Sequence, residues 1–559
     1  MLLLRRLVVR SCLVACFLAG SLYFSQPCAA IQSSSHVPGN PIVTTPAGAL
    51  EGRSDGGLRV FKGIPYAAPP VGPARWKPPV SMKPWPGVRP ATGFGPACVQ
   101  PRGSDGSIYA SDIGPTSEDC LTLNVWTPAN AKNLPVFVWI HGGALVAGSG
   151  RDALYDGARL AARALVVVSI NYRLGVLGYL AHPELSAESP LGISGNYGLL
   201  DQIEALHWIQ RNIRAFGGDP SNVTIAGESA GALSVMYLMA SPVARGLFSK
   251  AISESAYMIS TPELKQRSFG APSAEEAGMT LAATLHAPNL AALRAMDAQA
   301  LTDAATAAGF GPWGAVDGHV LMRQLVDTFD RGEQAPVPVL AGFNSGEIRS
   351  LRFLLPPPPA SPADYERIIR AQYGNLAGEF LRLYPSTNVP ESMLATTRDA
   401  FYGWTAERLV RKQTAQGQPS FLYLFDHGYP AADSAGLHGF HASELPFVFG
   451  TLKQTPPHWP RIPDTAAEAA FSDAMTGYWS SFARTGHPKS ANESDWPAFG
   501  TTGSYMDFQE VPHPSADLFP GMYALDEAAV CRRKSADVAW NWNVGVASPQ
   551  LSNDSASCK

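Results

Sequence analysis

The chain has 559 residues, 46% hydrophobic and 16% charged, the composition of a globular protein with length enough for a large core. Its formal net charge of −4 comes with no dominant basic patch, which argues against a nucleic-acid partner. No internal repeat stands out, and no Cys/His cluster has zinc-ligand spacing, so no metal is expected.

At the N-terminus, Arg5, Arg6 and Arg10 precede an apolar run, Ser11–Phe24, and small residues lead to Ala30. This is the pattern of a signal peptide, residues 1–30, cleaved near Ala30. The run is short for a membrane span, which takes about 20 residues. The expectation is an exported chain, secreted or periplasmic, without stable membrane insertion after cleavage, whose residues 31–559 form one domain. Cys12, Cys16 and Cys28 fall in the signal; Cys98, Cys120, Cys531 and Cys558 remain. Four cysteines in an exported chain suggest two disulfides, and pairing of neighbours, Cys98–Cys120 and Cys531–Cys558, is the simplest of the three arrangements.

In chain order, Pro41–Arg53, Leu58–Ala67 and Leu121–Pro128 read as β-branched strands with Gly turns. Leu134–Gly143 and Ala164–Arg173 are almost wholly apolar, as strands covered on both faces are. Asp152–Ala164, between them, has helical composition. Asn196–Asp219 is amphipathic, with Leu199, Ile203, Leu206 and Ile209 at helical spacing, and stops at Gly217–Gly218. Asn222–Ser229 reads as a strand, Ala230–Ala240 as a helix and Lys250–Ala256 as a strand. The alternation predicts an α/β protein with a large, mostly parallel sheet covered by helices on both faces. Ala335–Glu347 and Pro419–Gly428 supply later strands, and Ala470–Gly486 a closing helix. Residues 261–335 and 360–420 read as helical excursions over one sheet edge, with a Pro run at Pro356–Pro359.

One stretch bears on chemistry. Phe216–Ala232, FGGDPSNVTIAGESAGA, puts Ser229 between Gly227 and Gly231 at a strand–turn–helix junction, the setting of a nucleophile elbow. A lone G-x-S-x-G also arises in ordinary tight turns. A Ser nucleophile needs a base, an acid to orient it and donors for an oxyanion. Gly142, Gly143 and Ala144 follow a buried strand and can offer N–H groups, with Ala230 N–H completing the set. Glu347 stands just past a strand, and His438 and His441 share a later loop. An HxxH metal pair at these two histidines lacks a further ligand at suitable spacing. The order Ser229, Glu347, His441 is that of the α/β-hydrolase fold.

Phe216–Gly231 resembles the serine signature of the type-B carboxylesterase (cholinesterase-like) family, and Glu118–Pro128 its second signature. Phe61–Trp76, Ile170–Gly175, Gly195–Gln202 and His441–Gly450 resemble further family blocks in family order, so the likeness runs over roughly 41–497. It implies the α/β-hydrolase fold and a carboxylic ester hydrolase acting on a small-molecule ester with no cofactor. Residue by residue, it implies Ser229 as nucleophile, Glu347 as acid and His441 as base. Gly143, Ala144 and Ala230 match the oxyanion donors, and Ser255 a serine supporting the acid. It also implies Arg75–Glu118 and Arg173–Asp201 salt bridges and the Cys98–Cys120 disulfide. The loop between those cysteines has Tyr109 and no Trp, so nothing supports a choline ester, whose cation such a Trp would hold. Hydrolysis of carbamates, amides or thioesters by the same residues is the nearest alternative. A non-catalytic adhesion protein of the same family is the alternative of a different class. Arg349 and Arg352 follow Glu347 and are candidate partners for a carboxylate on the acyl group if they point inward; exposure on a helical lid is the favoured reading.

Overall fold

A computed structural model of the chain describes residues 39–102 and 106–552. The signal segment 1–30 and Cys558 lie outside them. The centre is an eleven-stranded sheet. In chain order its strands are β1 (Arg53–Asp55), β2 (Leu58–Pro65), β3 (Thr122–Pro128), β4 (Leu134–Ile140), β5 (Val166–Ile170), β6 (Gly218–Glu228), β7 (Lys250–Glu254), β8 (Val339–Asn344), β9 (Ser420–Phe425), β10 (Ser504–Phe508) and β11 (His513–Ala516). In space they run 11-10-9-8-7-6-4-5-3-2-1. Neighbours from β10 across to β5 are parallel, and the two margins are antiparallel. This is the doubly wound, mostly parallel sheet that the alternation predicts, and it accords with the α/β-hydrolase fold that the resemblance implies.

Alternate residues of the central strands feed two cores. Val136, Val138, Ile140, Ile225 and Ala341 join a core with helix α1 (Tyr197–Asn212) and helix α2 (Ala230–Ala240), through Leu206, Leu233 and Met236. Phe137, Trp139, Ala226, Ile252 and Leu340 face the other way, onto helix α3 (Ala466–Thr485), through Met475, Trp479 and Phe482. Burial on both faces explains why β4 is apolar throughout. Truncating a core indole such as Trp139 or Trp479 to Ala would cost about 3–5 kcal/mol.

α1 ends in a turn at Ile213–Phe216 closed by Gly217, left-handed at φ 85°. The expected helix over 152–164 is instead a short turn, Ala153–Tyr155, and one helical turn, Ala158–Ala161. Asp152 and Asp156 accept the N–H groups of Leu154 and Ala158, and these local bonds break the helix into turns. Within the stretches read as excursions lie helices Ala274–Thr284, Leu290–Ala295, Ala298–Ala307 and Leu325–Asp330, then Pro362–Tyr373, Ala377–Leu383, Val389–Arg398 and Trp404–Ala415. The last two strands and the helix Met522–Ser535 have no counterpart in the sequence reading.

β4 lies beside β6, with β5 on its far side. The chain therefore reverses its winding there, and the carboxyl ends of β4 and β6 open the crevice where sheets of this kind bind ligands.

Candidate active site

β6 ends at Glu228 and α2 begins at Ala230, with Ser229 between them at φ 55° and ψ −121°. A positive φ on a non-glycine residue costs of order 1–3 kcal/mol and persists only where its surroundings hold it. Here Ser229 N–H donates to the Glu254 carbonyl at 2.9 Å. A Cβ on Gly227 would stand 2.5 Å from the Gly231 carbonyl carbon, and one on Gly231 2.0 Å from the Ile140 oxygen. Both glycines are thus required for the elbow to pack against β4. Ser229 Oγ makes no hydrogen bond among the described residues and is partly exposed, directly before the positive end of α2.

The loop after β4 folds tightly. Gly143 O accepts from Val146 and Ala147 N–H at 2.9 Å each, and Gly143, Ala144 and Leu145 all have positive φ. His141, whose pKa burial lowers to about 4, is neutral and donates Nδ1–H to Gly142 O at 2.9 Å. Tyr172 stacks on the His141 ring and donates to its carbonyl at 2.8 Å. Gly142 abuts the elbow: a Cβ there would stand 3.2 Å from Ser229 Cβ. Gly143 and Ala144 are exposed residues, and their N–H groups meet no protein acceptor among the described residues. Ala230 N–H, at the first position of α2, has no intrahelical partner.

Glu347 and His441 are brought together from 94 residues apart. Glu347 is fully buried in the turn after β8; its Oε1 accepts Asn344 N–H at 2.8 Å and its Oε2 lies 2.5 Å from His441 Nδ1. Asn344 Nδ2 donates to the Phe440 carbonyl at 2.8 Å and to Glu444 Oε2, and Gly346 N–H to the Gly439 carbonyl at 2.7 Å. The acid turn and the histidine loop are therefore stitched by backbone as well as by side chain. On its other side, His441 Nε2 lies 3.1 Å from Oε1 of Glu228, the residue before Ser229. Burial alone would lower the His441 pKa; the Glu228 and Glu347 carboxylates outweigh it and raise it to about 9.

The structure thus gathers, at the carboxyl ends of neighbouring parallel strands, a strained and unbonded serine, an imidazole–carboxylate pair and a loop of unused N–H groups. Residues 39–519 match the carboxylesterase family. The chain belongs to that family. It is 37% identical over 485 residues to the fumonisin B1 esterase of Sphingopyxis macrogoltabida, covering 83% of this chain and 85% of that protein. To the para-nitrobenzyl esterase of Bacillus subtilis (strain 168) it is 36% identical over 471 residues, 82% of this chain and 92% of that one. A solved PNB esterase structure aligns with TM-score 0.76 at 33% identity, over 87% of this chain and 99% of that one. As a member of the carboxylesterase family, the chain is a carboxylic ester hydrolase.

Other expectations meet this carboxylesterase unevenly. Cys98 and Cys120 are bonded. Cys531 is also disulfide-bonded, while Cys558, its expected partner, is outside the described residues. Arg75 forks onto Glu118 with both contacts at 2.7 Å, and the buried Arg173 onto Asp201 at 2.8 and 2.7 Å. Ser255 is buried at φ 52°, yet its Oγ has no hydrogen bond among the described residues. Glu347 is anchored by Asn344 N–H instead. Arg349 does not serve the pocket as an unpaired cation: its guanidinium forks onto Glu391 at 3.2 and 2.7 Å. Arg352 is exposed. The case for a carboxylate-bearing acyl group at this pair therefore falls. His438 bonds Asp433 and Asp426 at 2.7 and 3.2 Å.

The floor of the site is lined by carboxyl groups that no motif marks. Glu228, Glu254 and Glu444 are buried beside Glu347. Burial raises Glu228 to about 7, against the pull of His441, and Glu254 to about 8; it also raises Glu444. Glu228 and Glu254 are register partners on β6 and β7, which the two strand sequences together could have indicated. Tyr109 and Tyr402 flank the His441 ring at 6.4 and 5.4 Å between centroids.

Proposed function

We propose that this carboxylesterase works as an exported serine esterase, with Ser229 as nucleophile, His441 as general base and Glu347 as the acid that orients it. The observation that carries the reading is the buried 2.5 Å contact between His441 Nδ1 and Glu347 Oε2, at the sheet edge where the strained Ser229 elbow lies. In this mechanism His441 Nε2 takes the Ser229 proton as Oγ attacks the ester carbonyl. The tetrahedral oxyanion is met by the N–H groups of Gly143, Ala144 and Ala230, to which Gly142 contributes by fixing the loop. His441 then protonates the leaving alcohol, and water, deprotonated by His441, cleaves the acyl-enzyme. Glu347 holds the Nδ1–H tautomer and stabilises the imidazolium. Serine–histidine contacts are often long until substrate binds, which suits an Oγ without a bond here. Loss of one oxyanion donor typically costs about 2.7–4 kcal/mol of barrier.

Export rests on the N-terminal pattern of residues 1–30, and no helix among the described residues is long and apolar enough to cross a membrane. The esterase names of the two relatives support a small-molecule ester as substrate. The test is hydrolysis of a chain-length series of p-nitrophenyl esters, with fluorophosphonate labelling, by the wild type and Ser229→Ala. Activity and labelling that vanish in the variant support the reading; a variant that keeps either one overturns it.

A further inference from the structure

The loop bounded by Cys98 and Cys120 supplies none of the residues assigned to the chemistry, yet it touches the site from two directions. Its first contact is Gln100, a buried side chain that brackets the backbone of Gly148. Gln100 Oε1 accepts Gly148 N–H at 2.9 Å, and its Nε2 donates to the Gly148 and Cys98 carbonyls at 3.0 Å each. Gly148 closes the turn that starts at Gly142. It sits at φ 108°, and a Cβ on it would stand 2.4 Å from His141 Nδ1 and 2.6 Å from Gly142 O. With the two ends of the turn in contact, whatever fixes Gly148 also fixes the N–H groups of Gly143 and Ala144.

The second contact is Tyr109. Its hydroxyl donates to the His441 carbonyl at 3.0 Å and lies 2.7 Å from Ser350 Oγ. A phenol has one proton, so the two acceptors share it, the shorter contact being to Ser350 at the end of the turn that begins with Glu347. Its ring packs edge-on against His441 and Trp459. Tyr109 thus holds the backbone of the histidine and the turn of the acid from outside both.

We infer that Gln100 and Tyr109 are positioning residues for ester hydrolysis, one setting the oxyanion loop and the other the acid–base pair, on a frame closed by Cys98–Cys120. The inference rests on the serine-esterase reading above. Neither residue touches the reacting atoms. Each acts through a backbone that would otherwise relax, and misplacement of catalytic groups by about 1 Å can cost about 100-fold in rate.

The experiment compares wild type with Gln100→Met, which keeps the volume and loses all three bonds, and Tyr109→Phe, which loses one oxygen. Melting temperature, kcat and KM on a p-nitrophenyl ester, and affinity for a trifluoromethyl ketone are measured. The ketone adds the serine reversibly, and its hemiketal oxygen occupies the oxyanion position. The expected result is a fall in kcat of about tenfold or more for Gln100→Met and several-fold for Tyr109→Phe, with KM little changed and ketone affinity falling in step with kcat/KM. A drop in melting temperature with kcat and ketone affinity unchanged would make both residues structural only and overturn the inference. Should Gln100→Met fail to fold, Tyr109→Phe decides alone by the same two readouts. Fluorophosphonate labelling of wild type but not Ser229→Ala, run alongside, separates failure of this inference from failure of the serine-esterase reading.

Discussion

His438 and His441 stand three residues apart in one loop, and each imidazole is set between two carboxylates, Asp433 and Asp426 for the first, Glu347 and Glu228 for the second. Both pKa values are raised to about 9. The causes differ. For His438 the hydrogen bond to Asp426 leads, and the side chain is 43% exposed. For His441, 8% exposed, burial opposes the charged form and two desolvated carboxylates overcome it. Similar pairing therefore gives a hydrated surface cluster in one place and, in the other, the buried imidazole that the proposed mechanism uses as its base. What separates them is the low-dielectric setting and the serine next to Glu228, not the pK value.

The largest expected effect breaks the comparison outright. His441→Ala should lower kcat by about 10⁶-fold, as loss of the base does in serine hydrolases that act as a unit, whereas His438→Ala should leave kcat within about twofold. Steady-state kinetics of the two variants, measured side by side, test this; comparable losses would mean that the loop, not the particular imidazole, matters. Next in size, Glu347→Gln should lower kcat by about 10⁴-fold with little change in KM, because an amide in place of the carboxylate favours the wrong tautomer.

The fold was legible where local pattern and packing agree. β4 and β5 are apolar runs because both faces are covered, and α1 follows its helical spacing to Gly217. Ser229 stood out because the elbow needs glycines at fixed offsets. Glu347 and His441 were candidates from position and chain order, and only the family resemblance chose His441 over His438; the contact between them spans 94 residues, which no local pattern encodes. Glu228 lay inside the quoted motif and was overlooked, since a glutamate beside a serine says nothing until His441 arrives 3.1 Å away. Arg349 was a candidate only by adjacency to the acid, with exposure on a lid the favoured reading, and Glu391, 42 residues on, takes its guanidinium. The margins of the sheet, β10 and β11, were missed because short strands in turn-rich sequence are fixed by their neighbours rather than by their own periodicity.

A subtler change sharpens the contrast by altering one charge. Glu228 raises the His441 pKa, so Glu228→Gln should lower it. The base acts when neutral, and the rate rises as pH climbs through its pKa; the acid limb of kcat/KM should therefore move to lower pH, by about one unit or more. The plateau should also fall, since the imidazolium formed in the transition state loses a carboxylate. A pH–rate profile that keeps its wild-type acid limb would mean that Glu228 carries no charge when the base titrates.

The smallest effect belongs to His438, and its sign follows from linkage. The folded-state pKa, about 9, lies above the ordinary value near 6.5. The charged pairing therefore stabilises the fold fully below about pH 6.5, and that stabilisation is lost as pH rises through about 9. The group is exposed and screened, so the gain is small, in the range of surface pairs at under about 1 kcal/mol. His438→Asn should lower the melting temperature slightly at pH 6 and have almost no effect at pH 10, with ester hydrolysis intact at both. If hydrolysis fell as well, the two ends of the loop would be mechanically coupled through the bond between Gly346 N–H and the Gly439 carbonyl, and the separation of surface pairing from buried chemistry would not hold.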